Sequence, residues 1–167
     1  MFPQLPPFAG VHPLVVHLPI GVLIVVPLFL LVTLLRRKTR GSSSRCALVL
    51  MIVGALGAWL AVASGDAAER VVEKIPLVLP VLEKHAELGE TVRLVFTLLV
   101  MIQLGWLGVM RVKQRRGKPL GERTRVLFQV AFFFLYLAAL LILVQVGHLG
   151  ARLVHEFGLQ ALMGKVG

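Results

Sequence analysis

Residues 14–35 read LVVHLPIGVLIVVPLFLLVTLL, an uninterrupted apolar run with a single histidine as its one titratable side chain. At 1.5 Å per residue, a helix of this length reaches about 33 Å, enough to cross a hydrocarbon core of about 30 Å. Further apolar runs follow at residues 47–64, 88–110 and 126–150. The sequence therefore predicts an all-α, polytopic membrane protein, with residues 1–167 forming one domain, a four-transmembrane-helix bundle.

Composition and charge support a bilayer as the partner of this chain. Of its 167 residues, 57% are hydrophobic, and the mean hydropathy of +0.88 exceeds that of a soluble domain. A net charge of +10 is typical of nucleic-acid binding, but 12 of the 18 Lys and Arg residues lie in two short segments, 36–45 and 111–125, between apolar runs. By the positive-inside rule both segments are cytoplasmic, which places both termini on the extracytoplasmic side and argues against a nucleic-acid partner.

The segments outside the spans carry further signals. Because no basic stretch precedes residues 14–35, we expect an uncleaved first span. The stretch 66–84, DAAERVVEKIPLVLPVLEK, predicts an external loop with an interfacial segment, since Pro76 and Pro80 interrupt a helix. Cys46 is the one cysteine, so neither an internal disulfide nor covalent haem attachment is expected. The second span is rich in small residues that allow close packing, namely Gly54, Gly57, Ala58, Ala61 and Gly65.

All five histidines are predicted near the outer face. Measured from the cytoplasmic end of each helix, His17 lies roughly 27 Å, His148 roughly 33 Å and His85 roughly 37 Å along the axis. His12 precedes the first span, and His155 lies two turns beyond His148. Three separate segments thus deliver imidazoles to one layer. Ordinary interfacial histidines, bonded to water or headgroups, are the simpler interpretation of each one alone.

The neighbours of these histidines favour a ligand site. Small residues, such as Gly21 near His17 and Gly150 near His148, leave room for a flat ligand, although they also allow helices to pack directly. Arg93 follows His85 by two turns and Arg152 follows His148 by one, and an arginine at that depth is costly unless an anion or water meets it. Haem propionates would supply such an anion for each arginine. The carboxylates that would serve equally well are Asp66, Glu87, Glu90 and Glu156.

Two chemistries and one structural role remain open at this point. Bis-histidine ligation of one or two b-type haems needs neutral imidazoles on facing helices. The predicted axial ligands are His17, His85 and His148, with His12 as a further candidate, and Arg93 and Arg152 as propionate anchors. A divalent metal ion for binding, sensing or permeation is the alternative, held by the same histidines with Asp66 and Glu87. The third interpretation is a structural subunit of a larger membrane complex.

Four motifs, read in order, carry a family resemblance: HPLVVHLPIG (12–21), GALGAWLAVASGDAA (54–68), KHAELGE (84–90) and GHLGARLVHEFG (147–158). Together they resemble the bacterial membrane family called domain of unknown function 2231. Near the end of the fourth span, where the family more usually shows a second small residue and a tyrosine, this sequence has Ala151 and His155, so the resemblance does not extend a ligand role to His155.

The resemblance implies a four-helix membrane domain in a redox setting, because family members are sometimes joined to c-type cytochrome modules. We therefore expect a multi-pass protein of the bacterial inner membrane that is an electron carrier or redox subunit rather than a stand-alone enzyme. Candidate partners are a quinol, a c-type cytochrome, a second copy of the chain or other subunits of a redox complex. Fold likeness alone does not establish such an activity.

Overall fold

The computed structural model describes residues 8–72 and 75–158, and within them the chain forms helices and connecting turns without a strand. A short 3-10 helix, Phe8–Val11, leads into α1, His12–Val15. Four long helices follow: α2 (His17–Leu35), α3 (Arg40–Val72), α4 (Leu79–Arg115) and α5 (Glu122–His155).

In the described part of the chain, four helical segments are long and apolar enough to cross a membrane, which confirms the predicted fold class. The first segment, His12–Leu35, consists of α1 and α2. Helices α3, α4 and α5 contain 33, 37 and 34 residues, well beyond the roughly 20 that a bilayer requires. The predicted spans 47–64, 88–110 and 126–150 lie inside them, so each helix extends past its apolar run.

The connection between α3 and α4 is shorter than the sequence suggested. An external loop was expected over residues 66–84, but α3 continues to Val72 and α4 begins at Leu79. The expected loop was therefore too long. Outside the hydrocarbon core a helix can carry polar residues, because water solvates them there. Pro76 lies between the two helices and Pro80 lies in the first turn of α4, where a missing N–H breaks no helical bond.

The four helices form a closed ring, in which each packs against the next and α5 packs against α2. The two basic segments, 36–45 and 111–125, meet at one end of the bundle. Glu122 Oε1 accepts a hydrogen bond from Arg40 Nη1 at 2.8 Å and lies 3.4 Å from Arg37 Nε. The N-terminal helices, the α3–α4 connection and the end of α5 lie at the opposite end. The membrane side of each end stays a prediction from the positive-inside rule.

Apolar side chains occupy both the inside and the outside of the bundle. The centre contains Leu23, Val26, Met51, Phe96 and Tyr136, each at most 1% exposed. Large hydrophobic side chains also cover the outer surface, among them Leu28, Leu98, Phe134 and Leu141, each more than half exposed. An apolar surface on every helix suits lipid contact and would be unusual for a soluble protein.

Close packing of α2 and α3 depends on glycine. A Cβ added at Gly54 would collide with the Leu23 side chain, and one added at Gly57 would lie 3.1 Å from Pro19. Both glycines face α2, so its side chains rest directly on the α3 backbone. The close packing predicted from the small residues of α3 is therefore confirmed.

A proline inside α2 determines a bond across the bundle. Pro27 has no N–H, so the Leu23 carbonyl four residues earlier loses its helical partner. The buried Tyr136 hydroxyl on α5 donates to that carbonyl oxygen at 3.1 Å. A buried carbonyl without a donor is costly in an apolar interior, so this bond fixes α5 against α2.

Candidate ligand cavity and histidine pair

A cavity of about 160 Å³ lies between the helices at the end opposite the basic segments. All helices from α1 to α5 contribute to its lining, which is largely apolar and contains many small residues. The polar side chains in the lining are His12, Asp66, Glu69 and His85. An apolar cleft with a few convergent polar groups is the usual form of a small-molecule or cofactor site.

Two half-buried histidines face this cavity from different helices. His12 comes from α1 and His85 from the second turn of α4. Their ring centroids are 6.2 Å apart and the ring planes are nearly perpendicular, at 83°. The first span and α4 do not adjoin in the ring of helices, so the two imidazoles approach across the bundle.

The hydroxyl of Ser64 determines the proton position on His12. Ser64 is fully buried, and its Oγ lies 3.0 Å from Ala61 O and 3.0 Å from His12 Nδ1. Ser64 Oγ donates its one proton to Ala61 O, so toward His12 it can act only as an acceptor. Ser64 must then accept from His12 Nδ1–H, which leaves a lone pair on Nε2 of the neutral ring.

A backbone carbonyl performs the same task for His85. Its Nδ1 lies 3.2 Å from Val146 O on α5, and this oxygen can only accept. His85 therefore also carries its proton on Nδ1 and a lone pair on Nε2. With the proton of each ring on Nδ1, each Nε2 keeps a lone pair, and such a nitrogen can accept a hydrogen bond or bind a metal.

Each imidazole rests on a glycine of a neighbouring helix. A Cβ at Gly65 of α3 would lie 3.1 Å from His12 Cε1, and a Cβ at Gly150 of α5 would lie 3.2 Å from His85 Cε1. The sequence suggested glycines one turn from a histidine on the same helix. In the structure, the glycines that make room for these rings lie across helix interfaces.

The other three histidines lie outside this cavity. His17, His148 and His155 are exposed, and His17 Nδ1 bonds to the carbonyl of Pro13 within its own segment. On α5 the lining positions include Leu143, Val146, Gly150 and Leu153, which follow one helical face. His148 falls between them and points away. The structure thus brings together His12 and His85 and does not bring His17 or His148 to them.

The two candidate arginines also lie outside the cavity lining. Arg93 pairs with Glu90, and its guanidinium lies 4.2 Å from the centre of the Trp59 ring. Arg152 pairs with Glu156 at 3.0 Å and holds the pKa of the Glu156 carboxyl below its ordinary value.

The two carboxylates considered as metal ligands have different locations. Asp66 lines the cavity, whereas Glu87 pairs with Lys84 at 2.8 Å. In the part of the chain that the structure describes, no three His, Cys, Asp or Glu residues are close enough to hold a metal ion together. The site therefore offers two imidazoles rather than a complete non-haem ligand set.

Sequence reasoning missed the two groups that orient the histidines. Ser64 was not among the predicted site residues, although its Oγ lies 3.0 Å from His12 Nδ1. Its signal was the ASGD motif, where a serine precedes a glycine on the small-residue face of α3. The Val146 carbonyl leaves no sequence signal, because every residue carries one.

The fold and the cavity together define a four-helix membrane protein with a histidine pair near one end of its bundle. The family model described as "Predicted membrane protein (DUF2231)" matches residues 9–162, so this chain belongs to that family. The resemblance noted from the four motifs is thereby confirmed. Neither a curated protein nor a solved structure matches the chain.

Proposed function

We propose that this protein is a small membrane cytochrome b that holds one haem b between His12 and His85. The observation that supports the proposal is the pair of neutral imidazoles, each with its proton fixed on Nδ1 and a lone pair on Nε2. Metal-binding histidines are characteristically held in this way, by a hydrogen bond from the ring nitrogen that does not bind the metal.

The separation of the rings fits an iron ion between them. Two metal–nitrogen bonds of about 2 Å each, with roughly 1 Å from each nitrogen to its ring centre, separate the centroids by about 6 Å. The observed separation is 6.2 Å.

The number of ligands favours haem over a bare metal ion. A porphyrin supplies four nitrogens, so haem iron needs two protein ligands, whereas a non-haem site usually takes three or more. The described residues supply His12 and His85 and no group of three. A non-haem ion, the second candidate, would have to recruit Asp66, which lines the same cavity.

The surroundings of the histidine pair fit part of a porphyrin. The volume of about 160 Å³ is below the roughly 300–1,000 Å³ of typical small-molecule pockets, so the ring edge would extend past the cavity. Arg93 and Arg152 are sequence neighbours of the lining residues Val92 and Leu153. To bind propionates, these arginines would have to exchange their glutamate partners for the haem.

The residues of the chain have distinct roles in this proposal. His12 and His85 bind the iron, while Ser64 and the Val146 carbonyl orient their rings. The apolar lining excludes water and so helps to set the reduction potential. Bound haem supplies one-electron transfer between the ferrous and ferric states.

The topology suggests where electrons would enter and leave. With the basic segments in the cytoplasm, the cavity lies near the extracytoplasmic face of the bacterial inner membrane. A quinol or a c-type cytochrome is the proposed redox partner, and the protein acts as a carrier or as a subunit of a redox complex rather than as an enzyme by itself.

An optical spectrum of protein purified from membranes tests the proposal. We expect a Soret band with reducible alpha peaks in the wild type, and loss of haem in His12→Ala and His85→Ala. The exposed residues provide matched controls, because His17→Ala and His148→Ala should keep full occupancy. Size-exclusion chromatography checks that every variant remains folded.

The outcomes separate the candidates. Haem retained in both His12→Ala and His85→Ala would refute this ligand pair. A colourless protein with stoichiometric metal, bound more weakly after Asp66→Ala, would instead support the non-haem site. A protein with neither haem nor metal would refute both sites and favour the third interpretation, a structural subunit of a larger membrane complex.

A further inference from the structure

A buried polar layer crosses the bundle at the end that carries the basic segments. Each long helix contributes one side chain: Thr33 from α2, Ser44 from α3, Gln103 from α4 and Gln129 from α5. The first three are at most 5% exposed. Polar groups at this depth need partners, since lipid supplies none.

Within the described residues, the hydrogen bonds of this layer do not satisfy every polar group in it, and two of the unpaired groups are the Ser44 hydroxyl proton and Gln129 Oε1. Gln103 Nε2 donates to Ser44 Oγ at 2.9 Å, and Thr33 Oγ1 donates to Phe29 O at 2.8 Å. The proton of the Ser44 hydroxyl has no acceptor among these bonds. The Oε1 atom of Gln129 is buried and receives no donor.

Ser44 and Gln129 line the same small cavity, of about 10 Å³, together with Trp106 and Phe128. A buried water needs roughly 10–15 Å³ of such volume and two to four polar partners. The Ser44 hydroxyl donates and the Gln129 carbonyl accepts, and a water molecule satisfies both roles at once. A cation is a poorer fit, because the positively charged Arg40 bonds to the Thr33 carbonyl beside this layer.

We propose that this cavity binds one ordered water molecule, which accepts from Ser44 Oγ–H and donates to Gln129 Oε1. The water joins α5 to the α3–α4 pair that the Gln103–Ser44 bond already connects. The polar layer then extends around the bundle from α3 to α5. This site is separate from the histidine cavity and does not depend on what that cavity binds.

A double-mutant cycle in the detergent-solubilised full chain tests this water bridge. Ser44→Ala and Gln129→Leu each remove one partner of the water, so each should lower Tm by a few degrees. Because either change breaks the same bridge, the double variant should lose clearly less than the sum. Gln145→Leu, at an exposed position of α5, is the control for the glutamine-to-leucine change and should leave Tm unchanged.

Additive effects, or a higher Tm for Gln129→Leu, would overturn the proposal, since leucine would then simply remove an unpaired acceptor. A structure at a resolution that shows ordered solvent gives an independent readout. A peak within hydrogen-bonding distance of both Ser44 Oγ and Gln129 Oε1 is expected there. A direct bond between these two side chains would be contrary evidence.

Discussion

Replacing Tyr136 by phenylalanine removes one hydroxyl from the centre of the bundle and keeps the ring. The ring would still pack edge-on against Phe96, at a centroid distance of 5.5 Å. The Leu23 carbonyl, however, would lose its donor, because Pro27 cannot replace it. An unpaired buried acceptor costs about 1–3 kcal/mol in soluble proteins, whereas bonds between membrane helices average about 0.6 kcal/mol.

We therefore expect a loss of about 1 kcal/mol, or a decrease in Tm of roughly 2–4 °C for a chain of this length. Thermal unfolding of the purified protein, followed by circular dichroism in one detergent, measures the shift. In a Pro27→Ala background, the new N–H of residue 27 can bond to Leu23 O. In that background, Tyr136→Phe should lower the free energy of unfolding clearly less than it does in the wild type. An equal loss in both backgrounds, or no loss in either, would refute the link between Pro27 and Tyr136.

Two further changes test the histidine cavity itself. Gly65→Ala and Gly150→Ala place a methyl group 3.1 Å and 3.2 Å from the imidazole carbons, so each should displace its ring and lower haem occupancy in the optical spectrum. Gly147→Ala, whose Cβ would meet nothing within 4 Å and which lies outside the cavity lining, is the matched control, and equal occupancy in all three would contradict the packing argument. Ser64→Ala leaves His12 Nδ1 without its acceptor and should weaken haem affinity by about 10- to 100-fold. Titration with haem measures this loss, and unchanged affinity would show that Ser64 does not position the ring.

The long-range pattern of the sequence was sufficient for the class of fold. Apolar runs such as residues 14–35 and the placement of basic residues predicted four membrane helices, because a bilayer imposes a minimum helix length and a side for positive charge. Helix ends were less predictable. Residues 66–72 continue α3 although they are partly polar, since a helix beyond the hydrocarbon core can expose them to water.

The candidate site was predictable only in part. Both partners of the observed pair, His12 and His85, were among the predicted ligands, and their end of the bundle followed from helix length. Their pairing did not follow, because distance along a helix gives depth and leaves the direction of a side chain open. His17 and His148 have suitable depths, yet both are exposed.

The sequence by itself determined that this chain spans a bilayer four times and carries its imidazoles toward one end. Hydrophobic length and residue order are local properties, so they need no knowledge of neighbouring helices. Only the tertiary structure decided which imidazoles meet, because rotation about each helix axis depends on packing against the other helices. That packing placed Ser64 beside His12 and the Val146 carbonyl beside His85. These two acceptors hold the proton of each ring on Nδ1.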